Sequence, residues 1–221
     1  MNALQSLLFA QTDVKVVNAK TFLPLDLSAA NQAMDGVDVT DAEAFENHLK
    51  EILANHGADA AFGGYNETRA LYKRSALFYE SDAEQRNIHI GLDIWMPAGT
   101  AVLAPLDGTV HSFDYNAGLG DYGPTIILEH QLGPLTFYTL YGHLSVESIA
   151  ELEIGDRFLK GQKLAELGDA SVNGDYAPHL HFQIIRDIGD WFGDYPGVCS
   201  AADLGHYLDN CPDPNLLLKL K

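Results

Sequence analysis

Hydrophobic positions change rhythm along the chain near residue 86. Before it, Phe45, Leu49, Ile52 and Leu53 recur at helical spacing up to Gly57, behind a Thr40–Glu43 capping-box pattern, and predict a helix over about 41–55. The next stretch, AFGGYNETRALYKRSALF, is glycine-rich and then aromatic and basic, and reads as an irregular arm packed across the rest. After it come short apolar runs broken by Gly, Pro and Asp: HIGLDIWM, AVLAPLDGTVHSF, PTIILEH, LTFYTLYGHL, KLAELG and HLHFQII. Runs of that length with turn residues between them predict strands of a twisted, mostly antiparallel sheet. The expected fold is mainly β, with an antiparallel core over 86–185. A helical and irregular extension (residues 1–80) packs on the main unit (residues 81–221), whose tail carries one short helix near 201–208.

Size and charge narrow the function. With 221 residues the chain can bury a substantial core. Its 13 basic and 31 acidic residues leave a formal net charge of -18, a field that repels phosphate backbones and anionic lipid surfaces. Neither nucleic acid nor membrane is an expected partner. The N-terminal apolar stretch has no positive segment before it, and no window approaches the roughly 18 apolar residues of a spanning helix. Cys199 and Cys211 then read as free thiols, and the expected location is cytoplasmic.

Three segments carry candidate chemistry. In PHLHFQII, His179 and His181 alternate with Leu180, so on a strand they share a face about 6.6 Å apart. Alone, that pair fits a metal site and a solvated strand face equally well. In HIGLD, His89 and Asp93 on one straight strand would stand about 13 Å apart, too far for one ion, but Gly91 lets the chain bend between them. The third is His143, closing the run LTFYTLYGHL. Two histidines and a carboxylate make a catalytic zinc set with a fourth position left for water, and no cysteine is needed. Tyr141, two residues before His143, fits a packed strand aromatic better than a second group on the face of His143. His48, His56 and His206 read as surface or structural residues, as do His111 and His130, expected at strand ends.

The order HIGLD, GTAVLAPLDGTV, YGHLS, IGDRFLKGQKLAELG and PHLHF resembles the lysostaphin and LytM-like zinc endopeptidases over about residues 86–185. The resemblance implies one Zn²⁺ per chain held by His89, Asp93 and His181, with His143 and His179 as the catalytic histidines. It also implies peptide-bond hydrolysis, commonly beside glycine or D-alanine in bacterial cell-wall peptides. The substrate expected on these grounds is a short peptide or a peptidoglycan-derived one. In some members an upstream asparagine-bearing segment covers the zinc; here GGYNETR offers Asn66 and Glu67 for that place, though an arm that merely packs on the sheet is the stronger expectation.

Departures bear on specificity. Gln183 stands where many members carry Glu and can orient a neighbouring ligand. The loop GDASVNGDYAP lacks the usual Gly-Ser/Thr pattern and carries acidic residues, of which Asp169 and Asp175 would favour an amine or basic side chain, as well as Tyr176. The region also resembles a peptidase-like segment of multidomain bacterial proteins with aminotransferase modules, which implies association with amino-compound-metabolising modules. Two non-enzyme readings stand beside the peptidase. IGDRFLKGQKLAELG resembles half of a biotin- or lipoyl-carrier hairpin but lacks the modifiable Met-Lys pair. The other is a zinc-binding, non-catalytic partner-binding or activator module of the same fold.

Overall fold

The apolar runs form strands, and the sheet they build extends further toward the N-terminus than their alternation predicts. The computed structural model describes residues 1–34, 36–69 and 85–221. Before the second gap come α1 (Ala3–Phe9), β1 (Phe22–Pro24), α2 (Ala42–His56), β2 (Ala60–Gly63) and β3 (Glu67–Thr68). After it come β4 (Ile88–His89), β5 (Leu92–Trp95), β6 (Ala101–Leu103), β7 (Gly108–Asn116), β8 (Gly123–Leu132) and β9 (Leu135–Gly142). Then follow α3 (Glu147–Ala150), β10 (Arg157–Phe158), β11 (Lys163–Glu166), β12 (His179–Ile185), β13 (Val198–Cys199), α4 (Leu204–Asn210) and α5 (Asn215–Leu218). The arm beyond residue 69 and the unit boundary expected at 80/81 lie outside the described residues. Among the described residues no helix is long and apolar enough to cross a membrane.

One eight-stranded sheet runs in the order β1-β2-β5-β12-β9-β8-β7-β10. Its neighbours are antiparallel, except for β1 and β2, which run parallel. The mainly β, antiparallel expectation therefore holds. The extension does more than pack on the core, because β1 and β2 form the sheet's edge beside β5. Four residues such as Ala60–Gly63 are too few for periodicity to mark as a strand. Separate small sheets pair β11 with β6 and order β13-β4-β3.

The helix expected at 41–55 is α2. Its cap is Asp41, whose side chain accepts from the Ala44 amide at 2.9 Å, while Thr40 bonds Asp38 instead. Gly57 ends it in the left-handed region at φ 62°. Phe45 and Leu49 pack its apolar face on Ala61 and Trp95. A capping box of Asn2 and Gln5 starts α1. The tail holds two short helices where one was expected, at 204–210 and 215–218. Cys199 and Cys211 are buried free thiols. His111 and His130 lie inside β7 and β8, not at their ends.

The central strand β12 sorts its residues by alternation. Leu180, Phe182 and Ile184 enter the main apolar core with Leu92, Ile94, Tyr141 and Phe137. His179, His181 and Gln183 take the opposite face, and all seven residues of the strand are buried. Each fully buried Leu, Ile or Phe of that core contributes roughly 1.5–3 kcal/mol. The core thus fixes the strand that carries the histidines.

Candidate metal centre

Cross-strand register brings the candidates together. In the β5–β12 pair, His181 stands opposite Asp93 and His179 opposite Trp95. Opposed residues on one face have Cβ atoms about 4.5–5.5 Å apart, near enough to meet at one point. β4 belongs to a different sheet from β5, so the chain turns at Ile90–Gly91 as the glycine requires. A Cβ on Gly91 would overlap the His181 imidazole, so only glycine lets the turn approach this closely. β9 ends at Gly142, opposite His181, and His143 follows in the left-handed region at φ 64°. That strained residue is held by its amide on the Tyr122 carbonyl at 2.8 Å and its carbonyl on the Gly168 amide at 2.9 Å.

Hydrogen bonds decide which atoms face the centre. His89 Nδ1 lies 2.9 Å from the Gly64 carbonyl, which only accepts, so Nδ1 carries the proton and Nε2 keeps its lone pair. Gln183 Nε2 donates to the Pro196 carbonyl at 3.1 Å, which turns Oε1 toward His181 Nε2 at 2.9 Å. His181 therefore presents Nδ1. Asp93 Oδ1 is buried without a hydrogen-bond partner. These three atoms stand 2.9, 3.2 and 3.3 Å from one another. Three converging lone pairs repel in a buried space unless a cation sits among them. Ligands about 2.0–2.1 Å from a tetrahedral ion stand about 3.3 Å apart, so the donor set fits a zinc-sized ion. Among the described residues it is the one group of His, Cys, Asp and Glu side chains so placed.

Burial and charge set the protonation. Burial pushes His89 down to about 4 against the pull of Asp93. Burial alone would raise Asp93, but its attraction to His89 and to the Arg69 guanidinium outweighs burial and holds the carboxyl well below its usual value. Burial also lowers His143, with His179 and His181 adding to the effect, and lowers His179 against the pull of Asp93. Near neutral pH these groups are imidazoles and one carboxylate, the forms that bind a metal.

His143 and His179 flank the cluster. Each donates Nδ1–H to a backbone carbonyl at 2.8 Å, Asn173 for His143 and Ala177 for His179, leaving both Nε2 lone pairs uncommitted there. Their ring centroids are 4.2 Å apart. His179 Nε2 lies 3.9 Å from Asp93 Oδ1, outside the spacing of the other three. All five residues singled out in the sequence thus meet at one place.

Other neighbours were not anticipated. Arg69 donates from Nη1 to Asp93 Oδ2 at 2.6 Å and pairs with Glu67. Trp95 stacks on His179 at 5.8 Å and 25°. Tyr122 packs 5.0 Å from His181 and 5.6 Å from His143. Trp95 was accessible to alternation, being two residues from Asp93; Arg69 and Tyr122 come from separate segments with no local signal. Asn66 is exposed and Glu67 accepts the Leu27 amide at 3.0 Å; among the described arm residues the groups that reach a ligand are the Gly64 carbonyl and the Arg69 guanidinium, not these two. Asp169 and Asp175 are exposed, and among the described residues the carboxylates lining the cleft besides Asp93 are Asp121 and Asp194. Burial raises both of these. Tyr141 is fully buried in the core, as a packing residue should be.

Residues 87–191 match the family model described as Peptidase family M23. A Haemophilus influenzae protein described as an uncharacterized metalloprotease is 34% identical over 137 residues, covering 59% of this chain and 27% of its own. The chain thus spans about a quarter of the length of that curated relative. Among solved structures, the catalytic domain of lysostaphin, an antimicrobial peptidase from Staphylococcus simulans, is 24% identical over 55% of this chain and 80% of its own, with a TM-score of 0.38. Helicobacter pylori Csd3 is 24% identical over 57% of this chain and 32% of its own, with a TM-score of 0.34.

Proposed function

We propose that this chain, whose residues 87–191 match the peptidase family M23 model, is a zinc-dependent endopeptidase that hydrolyses short glycyl or D-alanyl peptides. One observation carries the reading: His89 Nε2, His181 Nδ1 and Asp93 Oδ1 turn three lone pairs onto one buried point. His89, Asp93 and His181 would hold one Zn²⁺. When bound, zinc supplies Lewis acidity, which activates water and polarises a peptide carbonyl.

The chain's own residues handle the protons. With Nδ1–H on a backbone carbonyl, His143 and His179 each turn a basic Nε2 into the cleft. One accepts the proton of the attacking water at Nε2 and carries it to the departing amine; the other stands beside the developing oxyanion and donates to it from Nε2 once it has taken a proton from solvent. Because burial lowers both groups, their protonated forms release the proton readily. Trp95, stacked on His179, keeps that ring from rotating away.

The test is a panel of glycyl and D-alanyl peptides assayed with zinc and with chelator, beside metal analysis of the purified protein. About one zinc per chain and chelator-sensitive cleavage are expected. Firmly bound zinc with no peptide cleaved would favour a metal-retaining partner-binding module. Cleavage of intact sacculi with short peptides left untouched would favour a wall hydrolase.

A further inference from the structure

Two of the three ligand side chains are oriented by residues outside the 87–191 segment. β3 runs antiparallel to β4 with Glu67 opposite His89, so residues 64–69 lie along the strand that carries the first ligand. The Gly64 carbonyl takes the His89 Nδ1 proton at 2.9 Å. Gly64 itself sits at φ 99°, and a side chain there would strike both the Arg69 guanidinium and the His89 ring. Arg69 is 3% exposed, donates from Nη1 to Asp93 Oδ2 at 2.6 Å and from Nε to Glu67, and lies 5.9 Å over the Trp95 ring. Glu67 is in turn anchored by the Leu27 amide at 3.0 Å.

We infer that Arg69 is a positioning residue for the metal ligand Asp93, and that residues 64–69 are a built-in part of the metal site rather than a removable cover. The inference rests on the metal-site reading above. A carboxylate offers two equivalent oxygens and turns easily about its Cβ–Cγ bond. With Oδ2 held in a charge-assisted bond, any such turn breaks that bond, so Oδ1 alone faces His89 and His181. The guanidinium fork matters because it spans Glu67 and Asp93 from different nitrogens, which a lysine's single ammonium cannot do from one fixed geometry. Charge alone would predict the opposite sign, since removing a cation should tighten the hold on a dication. Glu67 on the same guanidinium offsets most of that charge, so lost orientation is the larger effect.

The test is Zn²⁺ affinity by chelator competition on the full chain, together with the visible spectrum of the Co²⁺-loaded protein. Partners of metal ligands are worth about 10–100-fold in metal affinity, so Arg69→Ala should weaken Zn²⁺ by about that factor, with Arg69→Lys recovering only part. The Co²⁺ spectrum of Arg69→Ala should change as the released second oxygen of Asp93 enters the coordination. Arg69→Gln, which keeps a buried stem and one donor, should also weaken Zn²⁺ and serves if Arg69→Ala does not fold. Wild-type affinity and an unchanged spectrum in these variants, or tighter binding, would overturn the inference while leaving the peptidase reading intact. A wild-type chain that takes up no Zn²⁺ would overturn both.

Discussion

His130 and His181 are both buried histidines inside strands of the same sheet, yet they are used differently. His130 has a partner on each nitrogen: the Asp107 carbonyl on Nδ1 at 2.8 Å and the Thr139 hydroxyl on Nε2 at 2.7 Å, with Phe137 stacked on its ring. His181 commits Nε2 to Gln183 and turns Nδ1 onto two other lone pairs. Titration does not separate the two regions, because burial pushes both His130 and the ligand His89 down to about 4. The partner of the second nitrogen does. A buried histidine satisfied on both sides is structure; one whose second nitrogen faces other lone pairs calls for a cation.

The comparison breaks most sharply at the ligands. Asp93→Ala or His181→Ala should empty the site, since each removes one of three protein ligands, whereas His130→Gln should keep about one zinc per chain. The emptied variants should also lose the thermal stabilisation that zinc gives the wild type, about 4 kcal/mol when zinc is at a thousand times its Kd. Unfolding scans with and without zinc measure this, and zinc-dependent stability surviving in Asp93→Ala would sink the assignment. Next come the flanking histidines: His143→Ala and His179→Ala should retain zinc while peptide cleavage falls by about 10²–10⁴-fold. An empty site in His143→Ala would show that the division between ligands and proton carriers is wrong.

On the structural side the effect is on pH dependence. His130 titrates at about 4 when folded and at about 6.5 when unfolded, so the unfolded chain binds the proton first as pH falls. The stability this neutral histidine contributes is complete above about pH 6.5 and is lost progressively toward pH 4, roughly 3 kcal/mol in all. Urea unfolding of wild type and His130→Gln across that window should show a shallower slope in the variant; equal slopes would remove His130 from the account. The smallest change calibrates the others. Asp41→Ala removes the α2 cap, distant from both histidine regions, and should cost about 1 kcal/mol with no change in zinc affinity.

What was legible in the chain follows the reach of each physical signal. Period-two alternation is local, so His179, His181 and Gln183 could be placed on one face and the core residues between them on the other. The need for a bend at Gly91 came from comparing a straight strand with the span of one ion, and the structure turns there. Pairing across long separations has no such signal. Gly64 acts through its carbonyl, which every residue type possesses, and Arg69 acts from a segment 24 residues before Asp93. Glu67 and Asn66 drew notice for their side-chain chemistry, yet the neighbouring arginine is the one directed inward. Short strands such as β1 and β2 were missed because three or four apolar residues fit any buried segment.

His89 lies in the three-stranded sheet β13-β4-β3, while Asp93 and His181 lie in the eight-stranded one. An ion held by all three would act as a rivet between the two sheets, beside the turn at Ile90–Gly91 and the Arg69–Asp93 ion pair. Withdrawing the rivet leaves the small sheet on two-residue strands, few enough to open on their own while the large sheet stays closed. Chelation should then quicken amide hydrogen exchange at Ile90, whose amide bonds the Gly197 carbonyl at 3.0 Å, and leave the long β8–β9 ladder at its former rate. The site would hold the two sheets together mechanically as well as chemically, and its occupancy could be read from the breathing of β4.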